Sequence, residues 1–141
     1  IVEQRTAFDQ DPDGFSAQCQ AEQNALQEKI INAQNRLKTV TMDRDFRIKI
    51  SQVCSELDVD GLRGDIVSNR AAKALAAYEE RTEVTLEDIQ RVIALCLRHR
   101  LRKDPLESID SGFKVEKTFS TAFGVAAPEL SANGRQPAGV R

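Results

Sequence analysis

The segment DGLRGDIVSNRAAKALA, residues 60–76, contains the side chain of this chain that is best placed to bind an anion. Arg63 stands between Gly61 and Gly64, where an alanine-rich helix is predicted to begin. Aligned peptide dipoles make a helix N-terminus partly positive, so an arginine there strengthens the local positive field. A guanidinium also offers paired donors that match phosphate oxygens. The pattern therefore predicts a site that faces a phosphate or another anion.

The two glycines and the nearby acids admit two interpretations of Arg63. Glycine weakens the first turn of a helix, so Gly61 and Gly64 suggest that something approaches the backbone closely. On the other hand, carboxylates at positions 58, 60 and 65 are close in sequence. An ion pair with any of them would occupy the guanidinium. Spacing alone leaves both interpretations open.

No phosphate-binding loop accompanies the arginine. Neither GxxxxGK[ST] nor GxGxxG occurs in the sequence, so the chain does not cradle a triphosphate by itself. An anion that meets Arg63 must then be held mainly by another domain.

The inventory of cysteine and histidine excludes several other chemistries. A single histidine, His99, and the absence of CxxC argue against a zinc site and a histidine-dependent triad. Cys19, Cys54 and Cys96 fit a reduced compartment, where they act as small hydrophobic residues. Cys54 and Cys96 are predicted on helices that flank the one starting at Arg63. A disulfide between them would require Cα atoms within roughly 7 Å.

The basic run RHRLRK, residues 98–103, has two explanations. Cations are favoured at a helix C-terminus, which is where this run is predicted to lie. The alternative function for the chain is a helical, histone-like module that binds nucleic acid through residues 98–103. Against it, the region has no aromatic side chains on which bases would stack.

Composition and hydrophobic periodicity predict an all-α protein. The 141 residues carry a net charge of −2 and 40% hydrophobic residues, which is typical of a single globular domain. No apolar run approaches the roughly 18 residues of a membrane span, and the first residues resemble neither a signal nor a transit peptide. The chain begins within a predicted helix and without Met, so we interpret it as a piece of a longer polypeptide.

Five further helices are predicted after this first one. A break at 9–14 precedes a long amphipathic helix of roughly 22–25 residues with an apolar stripe. Its stripe consists of Phe15, Cys19, Leu26, Ile30, Ala33 and Leu37. Thr41 is the predicted N-cap of the next helix, and Thr85 with Asp88 forms a capping box later. Inward positions of the helix after Gly61 are predicted to be Leu62, Ile66, Ala72, Leu75 and Ala76. A last helix from Ser111 ends at Gly124.

One known family matches this pattern. The stretch VCSELDVDGLRGDIVSNRAAKALAAYEERTEVTLEDIQRVIALCLRHRLRKDPLESIDSG, residues 53–112, closely resembles the C-terminal part of magnesium chelatase I subunits. These are the AAA+ ATPases of chlorophyll biosynthesis. The resemblance extends over roughly residues 1–124. It implies a connector from the AAA+ core at 1–13 and a lid-type bundle of about four helices at 41–124, with the long amphipathic helix at 14–40 between them. Residues 125–141 have no hydrophobic period and are rich in Ala, Pro, Gly, Ser and Asn, which predicts a disordered tail.

The resemblance implies a role for Arg63. It matches the sensor-2 arginine, which reaches the terminal phosphates of ATP held by the core, and the flanking glycines would leave room for that approach.

The family also implies a hexameric ring with ATP and Mg²⁺ at the subunit interfaces. Such a ring works with D and H subunits and inserts Mg²⁺ into protoporphyrin IX. The expected location is the chloroplast stroma or the cyanobacterial cytoplasm. The Walker segments, sensor 1 and the arginine finger are absent here, so we expect no activity from this chain alone. Cys54 and Cys96 match a redox-controlled pair in plastid members.

Overall fold

The computed structural model describes residues 1–59, 63–101 and 110–126, and within these ranges it contains helices and no β-sheet. The helices are α1 (Val2–Gln10), α2 (Pro12–Leu37), α3 (Arg44–Glu56), α4 (Arg63–Tyr78), α5 (Leu86–Leu97) and α6 (Ser111–Phe123). The predicted all-α class is confirmed. None of the described helices combines the length and the apolar character that crossing a membrane requires.

Helix α4 is the centre of the bundle. It packs on α5, α2 and α3, while α6 closes the other side against α3 and α5. Small side chains on α4, among them Ala72, Ala76 and Ala77, are almost completely buried and allow neighbouring helix backbones to come close. The larger core side chains come from the surrounding helices, and they are Ile50, Val53, Ile89, Ile93, Leu97, Val115, Phe119 and Phe123.

Helices α1 and α2 lie outside this core, since neither has a buried residue. The C-terminal half of α2 docks on the end of α4. There the Arg36 guanidinium donates to the carbonyl of Ala77 at 3.0 Å, and Lys29 Nζ lies 4.1 Å from the centre of the Tyr78 ring. The N-terminal half of α2 extends beyond the bundle.

The break between α1 and α2 is shorter than predicted. Helix α1 continues to Gln10 and α2 starts at Pro12, so one residue separates them instead of the predicted 9–14 segment. Asp11 caps the new helix by accepting from the Gly14 amide at 3.0 Å, and Pro12 suits the first helical position because it lacks an N–H. The boundary expected after residue 13 therefore lies inside α2.

The predicted N-cap at Thr41 is wrong. Thr41 pairs with the segment before α5, donating its amide to Thr82 O at 2.9 Å and accepting from the Val84 amide at 3.0 Å. The N-cap lies two residues later, at Asp43, whose carboxylate accepts from the Asp45 amide at 2.7 Å. Threonine is a common cap, but here a long-range backbone pairing holds it in an extended conformation.

The other predicted boundaries agree with the structure. Thr85 and Asp88 form the capping box of α5. Helix α6 starts at Ser111, and Gly124 ends it in the left-handed conformation at φ 68°. One predicted core position is wrong, since Ile66 is 45% exposed, and Leu62 lies outside the described residues. Most of the predicted tail, residues 127–141, also lies outside them.

Candidate functional site

Arg63 is the first residue of α4, and its side chain is exposed. Within residues 1–59, 63–101 and 110–126, the guanidinium forms no hydrogen bond or ion pair. Helix N-termini attract anions through their unpaired N–H groups and their dipole. The structure thus places a solvent-facing cation at a helix start.

Asp65, one of the three acids that might have neutralised Arg63, is turned toward α3. Its Oδ2 accepts from the Ser51 hydroxyl at 2.9 Å. Asp60 lies outside the described residues. Residues two positions apart on a helix do not share a face, which explains why Asp65 points away from Arg63. The spacing of two residues within a predicted helix was therefore the signal in the sequence that Asp65 and Arg63 lie on different faces.

Gly64 serves the packing of the bundle and not the approach of a ligand. It is buried, and a Cβ placed on it would lie 2.9 Å from Val59 Cγ1, 3.2 Å from Cys54 Sγ and 3.3 Å from Leu97 Cδ2. The expectation that Gly64 leaves room for the core and its nucleotide is therefore wrong, because the room is already filled by α3, α5 and the loop after α3. Gly61 lies outside the described residues.

The two cysteines of interest lie on either side of this same part of α4. Cys54 is buried next to Gly64 and Asp65, and Cys96 is buried on α5 near Ser68. Burial, followed by the hydrogen bond to Asp65, raises the pKa of the Cys54 thiol to about 12. Burial also raises the pKa of Cys96, although the Ser68 hydroxyl and the positive charge of Arg100 act in the opposite direction. Both thiols are free in the structure.

The basic run after α5 is only partly described. Arg98 and His99 are exposed, whereas Arg100 is partly buried and its Nε has no hydrogen-bond partner among the described residues. Arg102 and Lys103 lie outside the described ranges. In the described part of the chain, no three or more His, Cys, Asp or Glu side chains are grouped so that they could hold a metal ion.

Sequence reasoning missed two residues of the site. Ser51, on α3, donates to Asp65 of α4. Ser68, on α4, lies near the thiol of Cys96 on α5. Ser51 is exposed and Ser68 is completely buried. A serine in a helix carries no pattern that distinguishes these two environments, so only the packing of the helices identifies them.

The model of the AAA lid domain matches residues 47–118, which covers α4, α5 and most of α3 and α6. The magnesium-chelatase subunit ChlI of Synechocystis sp. is 74% identical over 125 residues, or 89% of this chain and 35% of that protein. The subunit of the same name from Anabaena variabilis is 66% identical over 139 residues, or 99% of this chain and 41% of that protein.

More distant relatives carry the same name. The subunit ChlI of Cyanophora paradoxa is 62% identical over 123 residues, or 87% of this chain and 35% of that protein. The chain thus spans between about a third and two-fifths of the length of these curated relatives.

Proposed function

The chain belongs to the AAA lid domain family, and from this premise we propose that it is the lid of a magnesium chelatase ATPase (I) subunit, with Arg63 as its sensor-2 arginine. The observation that carries the proposal is the exposed Arg63 guanidinium at the start of α4, which has no partner among the described residues. Its position inside the matched lid segment, residues 47–118, supports the assignment.

The proposed chemistry follows from where charge develops during ATP hydrolysis. Negative charge on the transferred phosphoryl group is stabilised by donors that are already oriented toward it. Arg63 would supply such donors from the lid, while ATP and Mg²⁺ would be held by the AAA+ core of the intact subunit. Hydrolysis would then drive Mg²⁺ insertion into protoporphyrin IX. The chain alone is not expected to be active, because it has no phosphate loop.

The proposal includes the partners and the location of the intact subunit. These are the AAA+ core of the same polypeptide, a homo-hexameric ring and the D and H subunits of the chelatase. Relatives from cyanobacteria and from plastid-bearing organisms such as Euglena gracilis support a cyanobacterial cytoplasm or a chloroplast stroma.

Replacement of Arg63 tests this function. In the intact subunit we expect Arg63→Ala to lower kcat for ATP hydrolysis by about a hundredfold, while ATP affinity changes little. Arg70→Ala is the matched control, since Arg70 is also exposed and lies two turns further along α4. Equal kcat values for Arg63→Ala and the parent, or an equal loss in both variants, would contradict the proposal.

A redox role for Cys54 and Cys96 belongs to the same proposal. Both thiols contact one turn of α4, so a disulfide between them would change how that turn is held. Burial raises the pKa of both thiols, that of Cys54 to about 12, so both are mostly protonated near neutral pH. One of the two, as its thiolate, would displace a thiolate from an external disulfide, and the other would then displace the second.

Oxidation of the chain with excess oxidised dithiothreitol tests the pairing. Peptide mapping without reduction should identify a Cys54–Cys96 link and leave Cys19 available for alkylation. Free alkylation of Cys54 and Cys96 after this treatment would eliminate the disulfide. The variant Cys19→Ser serves as a control, because its oxidation should give the same link.

A further inference from the structure

We propose that Asp65 is a positioning residue for Arg63, and that the hydrogen bond it accepts from Ser51 fixes the direction in which the guanidinium leaves α4. This inference rests on the proposed sensor-2 function of Arg63. Asp65 and the Ser51 hydroxyl that holds it would both contribute to the rate of ATP hydrolysis. Neither would touch the nucleotide.

The contacts of Asp65 connect two helices. Ser51 and Cys54 are three positions apart, so both lie on the face of α3 that meets α4. Ser51 donates its hydroxyl to the Asp65 carboxylate at 2.9 Å, and Cys54 packs beside Gly64. Asp65 and Arg63 are two positions apart and diverge by about 200° around the helix axis. Holding the carboxylate against α3 therefore holds Arg63 on the opposite, solvent-facing side.

The first turn of α4 needs such a contact, because its own backbone holds it weakly. The first N–H groups of a helix have no intrahelical acceptor, and Gly64 adds backbone freedom in the same turn. The turn is therefore held by the Asp65 contacts and by the packing of Gly64 on Cys54 and Leu97. A misplacement of about 1 Å at a reacting group can reduce a rate about a hundredfold, so loosening this turn should be visible in catalysis.

A purely structural role for Asp65 makes a different prediction. An acid in the first turn stabilises a helix through the dipole whether or not Ser51 is present. Under that role Ser51→Ala would be silent, because Ser51 is exposed and alanine is the better helix former. Under the positioning role Ser51→Ala lowers activity, because Asp65 loses a donor. Ser55→Ala is the matched control, as Ser55 is an exposed serine one turn further along α3.

The experiment is a double-mutant cycle on steady-state ATP hydrolysis by the intact subunit. We expect Asp65→Ala to lower kcat about tenfold and Ser51→Ala about threefold, with KM for ATP nearly unchanged and Ser55→Ala like the parent. In the Arg63→Ala background, neither change should lower kcat further. Amide hydrogen exchange at residues 63–66 should be faster in Ser51→Ala than in Ser55→Ala.

The outcomes separate the two claims. A normal kcat for Arg63→Ala overturns the proposed function and this inference with it. Two results would overturn this inference alone, provided that kcat for Arg63→Ala is low. In the first, Ser51→Ala has the kcat of the parent. In the second, Asp65→Ala lowers kcat in the Arg63→Ala background by the same factor as in the parent.

If Asp65→Ala does not fold, Asp65→Asn takes its place, because asparagine keeps an oxygen that accepts from Ser51. Its kcat should lie between those of the parent and Ser51→Ala, and a kcat as low as that of Arg63→Ala would contradict the inference.

Discussion

Arg63, Gly64 and Asp65 are consecutive, yet each faces a different part of the molecule. Successive residues of an α-helix are rotated by about 100°, so three neighbours cover most of the circumference. Arg63 faces solvent, Gly64 packs on Cys54 and Leu97, and Asp65 accepts a hydrogen bond from Ser51 of α3. The exposure of the guanidinium therefore follows from the packing of its two neighbours against the bundle.

The tight packing of Gly64 leads to a prediction about stability. Gly64→Ala would place a Cβ 2.9 Å from Val59 and 3.2 Å from Cys54 Sγ, so the first turn of α4 must move. We expect a loss of about 1–3 kcal/mol in the free energy of unfolding, measured by urea denaturation.

Gly112→Ala is the control for this measurement. In α6 the nearest atom to a new Cβ is the Asp110 carboxylate at 3.0 Å, and that residue is exposed and can rotate away. The change should be neutral or slightly stabilising, since alanine is the better helix former. A Gly64→Ala variant as stable as Gly112→Ala would contradict the packing described at the start of α4.

At the scale of elements, the start of α5 depends on one buried carboxylate. Asp88 is 1% exposed, accepts from the Thr85 amide at 2.8 Å and receives a bidentate pair of hydrogen bonds from Arg81, one of them at 2.6 Å. The bonds from Arg81 lower the pKa of Asp88, although burial alone would raise it. The same carboxylate thus ties the helix start to the loop after α4.

This lowered pKa predicts a pH dependence of stability. A carboxyl with a lower pKa in the folded state contributes stability above its unfolded pKa, about 3.9, and loses it as the pH falls through the folded value. We expect the free energy of unfolding to drop between about pH 5 and pH 2, and Asp88→Asn to weaken that dependence. At pH 7 the variant should lose about 2–3 kcal/mol.

Exposed Glu87→Gln on the same turn is the matched control for the acid titration. It should follow the parent curve, because the exposed Glu87 side chain is surrounded by solvent, which screens its charge. Identical pH profiles of Asp88→Asn and the parent would show that the Arg81–Asp88 pair does not contribute to acid sensitivity.

At the scale of the whole molecule, the described residues divide into a packed bundle and an extension. Residues 44–123 contain the buried parts of α3, α4, α5 and α6, whereas α1 and α2 have no buried residue. The C-terminal half of α2 contacts the bundle through Lys29, Ala33 and Arg36.

This division predicts unequal protection of backbone amides in the isolated chain. Amides of α1 and of the first half of α2 should exchange rapidly, because local unfolding there exposes almost no apolar surface. Amides in the middle of α4 and α5 should exchange slowest, at rates set by global unfolding. Hydrogen exchange followed by mass spectrometry measures both. Protection of residues 2–20 equal to that of residues 70–77 would contradict the division.

Local patterns in the sequence were sufficient to predict the class of fold and several helix ends. The capping box of Thr85 and Asp88, and Gly124 in its left-handed conformation, depend on groups within a few residues of each other. Such interactions are encoded by neighbouring residue types, so short-range reasoning finds them. Thr41 was assigned wrongly because its partners, Thr82 and Val84, are distant in sequence.

For the proposed site, the sequence by itself determined the position of the arginine, the absence of a phosphate loop and the resemblance to the chelatase subunits. The tertiary structure decided which neighbours occupy Asp65 and Gly64, and thereby that Arg63 has no partner among the described residues. The physical reason is that hydrogen bonds and close packing between α3, α4 and α5 depend on how helices far apart in sequence are oriented. The hydrophobic period of a helix predicts which of its faces is buried. Which residue of another helix packs against that face is decided by the tertiary structure.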